Sequence, residues 1–283
     1  MMQAGFIGLG SLGMAMAKRL IGEGVSLVVW NRTAEKAHEL GAPTASSPTD
    51  LIAQVPVVFI NIRDSAAVEE VLTREDGLLA GDISGKLIID TTTNHFEAVT
   101  RFHTLVAARG GVYLEAPVAG SVVPASQGKL VVFASGEQTA LEQARPYLEK
   151  ISSSIVYFEM PGKATRWKLI NNLVLGSLMA VLGEAVVLGE AAGFDKAQVL
   201  ELPGWRHGNS GVLNAKRQKL LDEDFSPHFS VSMIHKDLRY LEDLADYLDQ
   251  PVFLGAVVKQ LFGAAVADGL GEQDFAAIYQ TLK

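Results

Sequence analysis

Cysteine is absent from the 283-residue chain, which removes disulfides, thiolate metal sites and a cysteine nucleophile together. Its absence agrees with a reducing compartment, and the expected location is cytoplasmic. Histidine is sparse. The six histidines are scattered without HExxH or paired-ligand spacing, so no metal is expected. Positive charge is also short. Lys and Arg number 24 against 32 Asp and Glu, giving a net charge of −8 with no long basic run. Neither nucleic acid nor an anionic membrane is an expected partner. The N-terminus lacks the basic stretch and cleavage site of a signal peptide, and glycines interrupt its apolar run. The most membrane-like segment, Leu169–Ala192, is broken by Asn171, Asn172, Glu184 and Glu190. Its clean apolar core is about half the ~20 residues needed to span, so it reads as a buried helix.

What is present is core material: 48 % of residues are hydrophobic and 20 % charged, which argues for one or two packed domains rather than disorder. The first half alternates β-rich runs with helical patterns. Ala4–Gly8, Ser26–Trp30, Val57–Ile62 and Leu87–Asp90 read as strands, nearly continuous in apolar character, as parallel strands covered on both faces are. Between them, Leu12–Gly22, Thr33–Leu40, Ser65–Leu72 and His95–Arg109 read as helices, which implies a right-handed βαβ sheet. Tyr113–Val118, Lys129–Ala134 and Ser154–Phe158 are expected to extend it. After Phe158 the pattern becomes helical. Ala164 to Ala192 predicts one long helix, apolar almost all round, and Lys196–Leu202, Val212–Leu221, Val231–Tyr247, Val252–Ala267 and Asp274–Leu282 predict five more. The fold class is therefore α/β: a Rossmann-type domain over 1–161, then an all-α domain over 162–283, joined by the long helix. The boundary falls near Pro161–Gly162. The apolar helix predicts a homodimer or homotetramer.

The turn Gly8-Leu9-Gly10-Ser11-Leu12-Gly13 follows a predicted strand and opens a predicted helix. Gly8 permits the tight turn, Gly10 lets the backbone approach a pyrophosphate, and Gly13 allows close packing of helix on strand. N–H groups at the helix start then meet the phosphates. Three glycines alone can be only a turn; strand, helix and second strand together predict a dinucleotide. The second strand ends Trp30-Asn31-Arg32-Thr33. An acid that binds the ribose 2′-OH is missing there, and the Arg32 fork suits a 2′-phosphate, with Thr33 adding a hydroxyl. NADPH is the expected cofactor and NAD the second possibility; Arg32 as an ordinary surface arginine is the bland alternative.

Two later segments join these. Glu115-Ala116-Pro117-Val118-Ala119-Gly120-Ser121 is a strand running into a small-residue loop whose backbone N–H groups can hold a carboxylate. Gly162-Lys163-Ala164-Thr165-Arg166-Trp167-Lys168-Leu169-Ile170-Asn171-Asn172 opens the long helix. Lys168 and Asn172 are four apart, on one helix face, and Asn171 is nearly as close to Lys168. Polar groups opening an apolar helix suit a cleft. A lysine snorkelling from a helix end, beside asparagines bonded to a neighbour, is the alternative.

Taken together, the glycine turn, Trp30–Thr33 and these two segments resemble the β-hydroxyacid dehydrogenases over nearly the whole chain. The closest-looking branch is the glyoxylate and succinic semialdehyde reductases. The resemblance implies a Rossmann domain, a helical domain and a catalytic lysine on the helix joining them. It makes Lys168 that lysine and Asn172 the residue positioning it and the substrate. It implies substrate contacts at Val118, Ala119, Gly120, Ser121 and Asn171, and cofactor contacts at Asn61, Arg63 and Thr93. Lys236 and Asp237 would close the cofactor site from the helical domain. Two departures stand out. Ala119 occupies the place of the family serine, so one substrate hydrogen bond is lost or moves to Ser121. Ala164 replaces the second glycine of the lysine segment.

The reaction so implied is reduction by NADPH of a small aldehyde or keto acid of the glyoxylate or succinic semialdehyde type. A lysine, with a free pKa of ~10.4, is already protonated and can donate to the carbonyl oxygen. Imine reductases share the glycine turn, an Asn-Arg-Thr-like step and a long interdomain helix, but usually replace the lysine that Lys168 supplies here. A non-enzymatic NADP-binding sensor or scaffold is the reading from another class. Trp205-Arg206-His207-Gly208 reads either as part of a substrate cleft or as a helix–loop junction.

Overall fold

Runs of Val, Ile and Phe become strands because their branched and aromatic side chains fill a pleated surface covered on both sides. In the computed structural model, which describes residues 2–283, these runs are β1 (Gln3–Ile7), β2 (Ser26–Trp30), β3 (Val57–Ile60), β4 (Leu87–Asp90) and β5 (Val112–Glu115). All five are parallel, in the order β2-β1-β3-β4-β5. Every residue of β3 and β4 is buried. Neighbouring residues point to opposite faces, so Phe6 and Phe59 join one apolar core while Ile7 and Ile60 join the other.

The sheet continues through β7 (Leu130–Ser135), which is antiparallel to β5 and to a two-residue strand, β6 (Val118–Ala119). Finally β8 (Ser152–Phe158) lies parallel to β7. The expected strand Tyr113–Val118 is therefore two strands, parted at Ala116-Pro117, where proline has no N–H for the ladder. Val57–Ile62 is shorter than expected and stops at Ile60.

The anticipated helices appear as α1 (Ser11–Gly22) and α2 (Ala34–Leu40), followed after an unanticipated α3 (Pro48–Gln54) by α4 (Ser65–Thr73) and α5 (Phe96–Ala107). Two further unanticipated helices are α6 (Val122–Ser126) and α7 (Gln138–Ile151). The start of α3 was legible. Ser47 accepts from the Asp50 N–H at 3.0 Å and proline opens the helix. In α7, Ala140, Leu141, Ala144, Tyr147, Leu148 and Ile151 are buried at helical spacing, but Pro146 inside it masks the pattern.

Residues up to Lys168 form one compact unit and Leu169–Lys283 a second. The parting lies inside α8 (Lys163–Ala191), so the first turns of that helix belong with the sheet. The second unit holds the rest of α8, then α9 (Lys196–Glu201), a 3-10 turn at Leu202–Trp205, α10 (Gly211–Asp222), α11 (Val231–Tyr247), α12 (Phe253–Ala267) and α13 (Ile278–Leu282). Asp274 is buried within it and accepts from Lys216 Nζ at 2.8 Å, the His228 N–H at 3.0 Å and the Ala276 N–H at 3.1 Å.

By length and composition alone α8 could cross a membrane. One side of it behaves as a core helix: Gly176 brings it against Ile234 and Leu238, and Gly183 against Tyr279 and Leu282. The other side exposes Ile170, Val174, Leu178, Val181 and Leu188, and α12 exposes Phe253, Leu254 and Val257.

Candidate active site

The glycine turn opens from the end of β1. Gly8 has φ +96°, and a Cβ there would lie 2.2 Å from the Asn61 carbonyl oxygen. A Cβ at Gly13 would lie 2.0 Å from the Gly8 carbonyl oxygen, so α1 sits directly on the turn. Gly10 differs: it caps α1 with φ −68°, and a Cβ would meet nothing within 4 Å. No side chain caps α1, and its first turn carries no acid, so its positive end stays open. Leu9 is buried, Leu12 half-buried and Ser11 exposed.

Asn31 sits where sequence reading placed it but is first a brace. Its Oδ1 accepts the Leu9 N–H at 2.8 Å, and its Nδ2 donates to the Thr33 carbonyl at 2.8 Å. One turn N–H is thereby spent inside the protein. Arg32 and Thr33 are exposed beside it.

Parallel strands end on one edge, and the other predicted residues of this unit line it. Asn61, after β3, donates to Thr91 Oγ1 at 3.0 Å, which ties two strand ends together. Arg63 is exposed, its Nε 3.9 Å from Asp64 Oδ2. After β4, Asp90 accepts from the Thr92 N–H at 2.8 Å, Asn94 Nδ2 at 2.7 Å and the Tyr113 hydroxyl at 2.5 Å. These bonds set the loop that carries the half-buried Thr93. Burial pushes the Asp90 carboxyl above the usual range despite them. Burial, then the Asp90 charge, pushes the Tyr113 phenol well above its own range, so it remains a proton donor.

The expected substrate loop is shorter than the sequence suggested. Val118 and Ala119 lie in β6, opposite Val132 and Val131. Gly120, with φ +115°, and the half-buried Ser121 remain as loop; Ser121 precedes α6 without capping it by its side chain.

Lys168 on α8 is only 7 % exposed and Asn172 is fully buried. Asn171 is half-buried and donates to Asn172 Oδ1 at 3.2 Å. Asn172 Nδ2 in turn donates to Asp237 Oδ2 at 2.6 Å. Asp237 is itself fully buried, and Lys236 Nζ lies 3.0 Å from its other oxygen. Asp237 thus lies between Asn172 and Lys236 and orients Asn172 through that bond. Lys236 stands over the Tyr240 ring at 5.1 Å. Trp205 ends the 3-10 turn after α9 and is strongly exposed.

Residues 3–159 match the family described as the NAD binding domain of 6-phosphogluconate dehydrogenase. Residues 162–282 match the one described as the NAD-binding domain of NADP-dependent 3-hydroxyisobutyrate dehydrogenase. The chain belongs to the 3-hydroxyisobutyrate dehydrogenase-related β-hydroxyacid dehydrogenases. It is an oxidoreductase of the hydroxyacid dehydrogenase and reductase class. Glyoxylate/succinic semialdehyde reductase 2 of Arabidopsis thaliana is 30 % identical over 99 % of this chain and 79 % of the relative. The cytokine-like nuclear factor N-PAC of Homo sapiens is 29 % identical over 98 % of this chain, which spans about half of that relative, 50 %. The solved structure of Psf3 in complex with NADP+ and 2-OPP superimposes with a TM-score of 0.91 at 29 % identity, covering 99 % of this chain and 100 % of that one.

In this dehydrogenase the residues that sequence reading passed over are the ones that hold the site's frame. Glu115, at the end of β5, is buried and bonds to Ser135, Gly162 and Thr165 at the start of α8. Burial pushes its carboxyl up, but donors from His103, Ser135, Thr165 and Gly162 outweigh it and hold it below the usual range. Its only signal in the sequence was an acid opening the 115–121 segment.

Proposed function

We propose that this dehydrogenase is an NADPH-dependent reductase of a small aldehyde or keto acid, of the glyoxylate or succinic semialdehyde type, with Lys168 as proton donor. One observation carries the reading. The open end of α1 and the anchored first turn of the Lys168 helix both meet the C-terminal edge of the parallel sheet. Ligands of such sheets bind at that edge, where the strand order reverses, here between β1 and β3.

The turn fits a dinucleotide, because Gly10 leaves open space in front of donors that no side chain caps. NADP(H) is the cofactor, with NAD possible: the matched families are NAD-binding and the Psf3 structure holds NADP+. Arg32, exposed beside the braced Asn31, is placed to pair with a 2′-phosphate. Bound there, the nicotinamide supplies the hydride. Lys168 as an ammonium bonds the substrate carbonyl oxygen, stabilises the charge that gathers on it and delivers a proton. Asn172, oriented by Asp237, positions the lysine from the next turn of the helix. The backbone N–H groups of Gly120 and Ser121 hold the substrate carboxylate. The reductase name of the Arabidopsis relative supports the substrate class.

The test is NADPH oxidation by wild type and Arg32→Ala with glyoxylate, succinic semialdehyde, tartronate semialdehyde and a cyclic imine. Wild type is expected to turn over an acid aldehyde and to prefer NADPH to NADH; Arg32→Ala should lose that preference by tenfold or more. Turnover of the imine alone makes the chain an imine reductase. NADPH binding without turnover on any arm would overturn the acid-aldehyde substrate class. An unchanged preference in Arg32→Ala removes Arg32 from 2′-phosphate recognition.

We infer also that a second copy covers the apolar stripe of α8 and α12, making a homodimer or homotetramer. Val181 and Leu254, both well exposed, are near-neutral to truncate but costly to charge in an interface. Light scattering should show an oligomer in wild type and a smaller species in Val181→Asp/Leu254→Asp. A wild-type monomer would refute the inference.

A further inference from the structure

The first turn of α8 has four N–H groups without helical partners, as any helix start does. Each one is accounted for. The Gly162 N–H donates to Glu115 Oε1. The Lys163 N–H donates to the Met160 carbonyl at 3.2 Å. The Ala164 N–H donates to Ser135 Oγ at 3.2 Å, and the Ser135 hydroxyl donates onward to Glu115 Oε1. The Thr165 N–H reaches Glu115 Oε2 at 3.0 Å and the Thr165 hydroxyl reaches it at 2.6 Å. One buried carboxylate on the sheet thus holds, directly or through Ser135, three of the four. His103 Nε2 approaches it at 3.7 Å.

We propose that Glu115 is a positioning residue for Lys168: it sets the height and rotation of α8 on the sheet, and so where the lysine meets the substrate oxygen. The proposal rests on the reading of Lys168 as proton donor. Lys168 lies one turn beyond Ala164 and Thr165, so the clamped turn is the one that supports it. A helix start held only by water or by its own side chain would fray and rotate freely. A carboxylate bonded to a strand end below it does not allow that. The geometry also requires a charge-bearing acceptor. Both oxygens accept from two or more donors. A glutamine in the same place would turn an NH2 group toward N–H and O–H donors, and one oxygen's worth of bonds would be lost to opposed donors.

Purified full-length Glu115→Gln, Glu115→Asp, Thr165→Val, Lys168→Ala and the Glu115→Gln/Lys168→Ala pair separate this role from plain stability. Glu115→Gln is expected to keep NADPH affinity within about twofold, because the glycine turn is untouched. Its kcat should fall about 30-fold or more, with a smaller change in KM. Glu115→Asp, which keeps the charge, should recover part of that loss. In the Lys168→Ala background Glu115→Gln should cost no more than about twofold further, because it acts through the lysine. If Glu115→Gln does not fold, Thr165→Val removes one donor and leaves the carboxylate, and should lower kcat about fivefold at unchanged NADPH affinity. An inactive Lys168→Ala beside a fully active Glu115→Gln, or Thr165→Val where that is used, overturns this proposal alone. So do losses that multiply in the pair. An active Lys168→Ala overturns the lysine reading and this proposal with it.

Discussion

Lys168→Ala is expected to bind NADPH within about twofold of wild type and to lose ~10²- to 10⁴-fold in kcat, the usual worth of a positioned general acid. The reasons are local. Lys168 is 7 % exposed on the polar opening turns of an otherwise apolar helix, so alanine there removes a buried amine rather than a solvated surface group. Alanine is a better helix former than lysine, so α8 should survive the change. The dinucleotide turn lies on α1 and does not depend on it. Lys168→Arg is the sharper control. A guanidinium keeps the charge but does not give up its proton near neutral pH, so it should bind the substrate acid yet remain slow. Fluorescence titration of NADPH beside steady-state turnover checks both. Near-normal turnover in Lys168→Ala would remove the lysine from the chemistry, whatever the family suggests.

Much of this site was legible because its signals are local. Gly8, Gly10 and Gly13 fall in the register that a strand-to-helix turn demands, and Lys168 and Asn172 share a helix face by spacing alone. What escaped was long-range. Nothing near Glu115 says that it will meet Gly162 and Thr165 on a helix some fifty residues further on, separations of 47 and 50. Nothing near Asp237 in the sequence says that it will bond to Asn172, 65 residues earlier. Ala119 looked like loop because glycine and serine follow it; pairing with Val131 across the sheet makes it strand. The same limit hid α7. Its buried face repeats correctly, but Pro146 and the charged residues around it carry the local message. Local chemistry marks which atoms can react, and tertiary contacts decide which of them are held.

The three turn glycines should separate when each is changed to alanine, because the structure gives them different neighbours. Gly13→Ala puts a Cβ 2.0 Å from the Gly8 carbonyl oxygen. That oxygen is backbone, held by the turn, and has no rotamer to retreat into. The helix must lift off the strand, an overpacking cost of typically ~1–3 kcal/mol. The ~1 kcal/mol that alanine gains over glycine within a helix offsets only part of it. Gly8→Ala adds a φ of +96° to a contact of 2.2 Å with the Asn61 carbonyl, so it should be worse. Both should lower Tm by several degrees and abolish measurable NADPH binding, since the donors move with the turn. Gly10→Ala is the informative case. Its φ is −68° and its Cβ would meet nothing within 4 Å, so the fold has no use for glycine there. Tm should stay within about 2 °C of wild type while NADPH affinity falls tenfold or more, because the methyl occupies the space a pyrophosphate needs to reach the N–H groups. Thermal melts and NADPH titration on the same samples decide it. Wild-type NADPH affinity in Gly10→Ala would mean that the phosphates do not approach this face of the turn. A Tm loss equal to that of Gly13→Ala would mean that Gly10, too, is there for the fold and carries no information about the ligand.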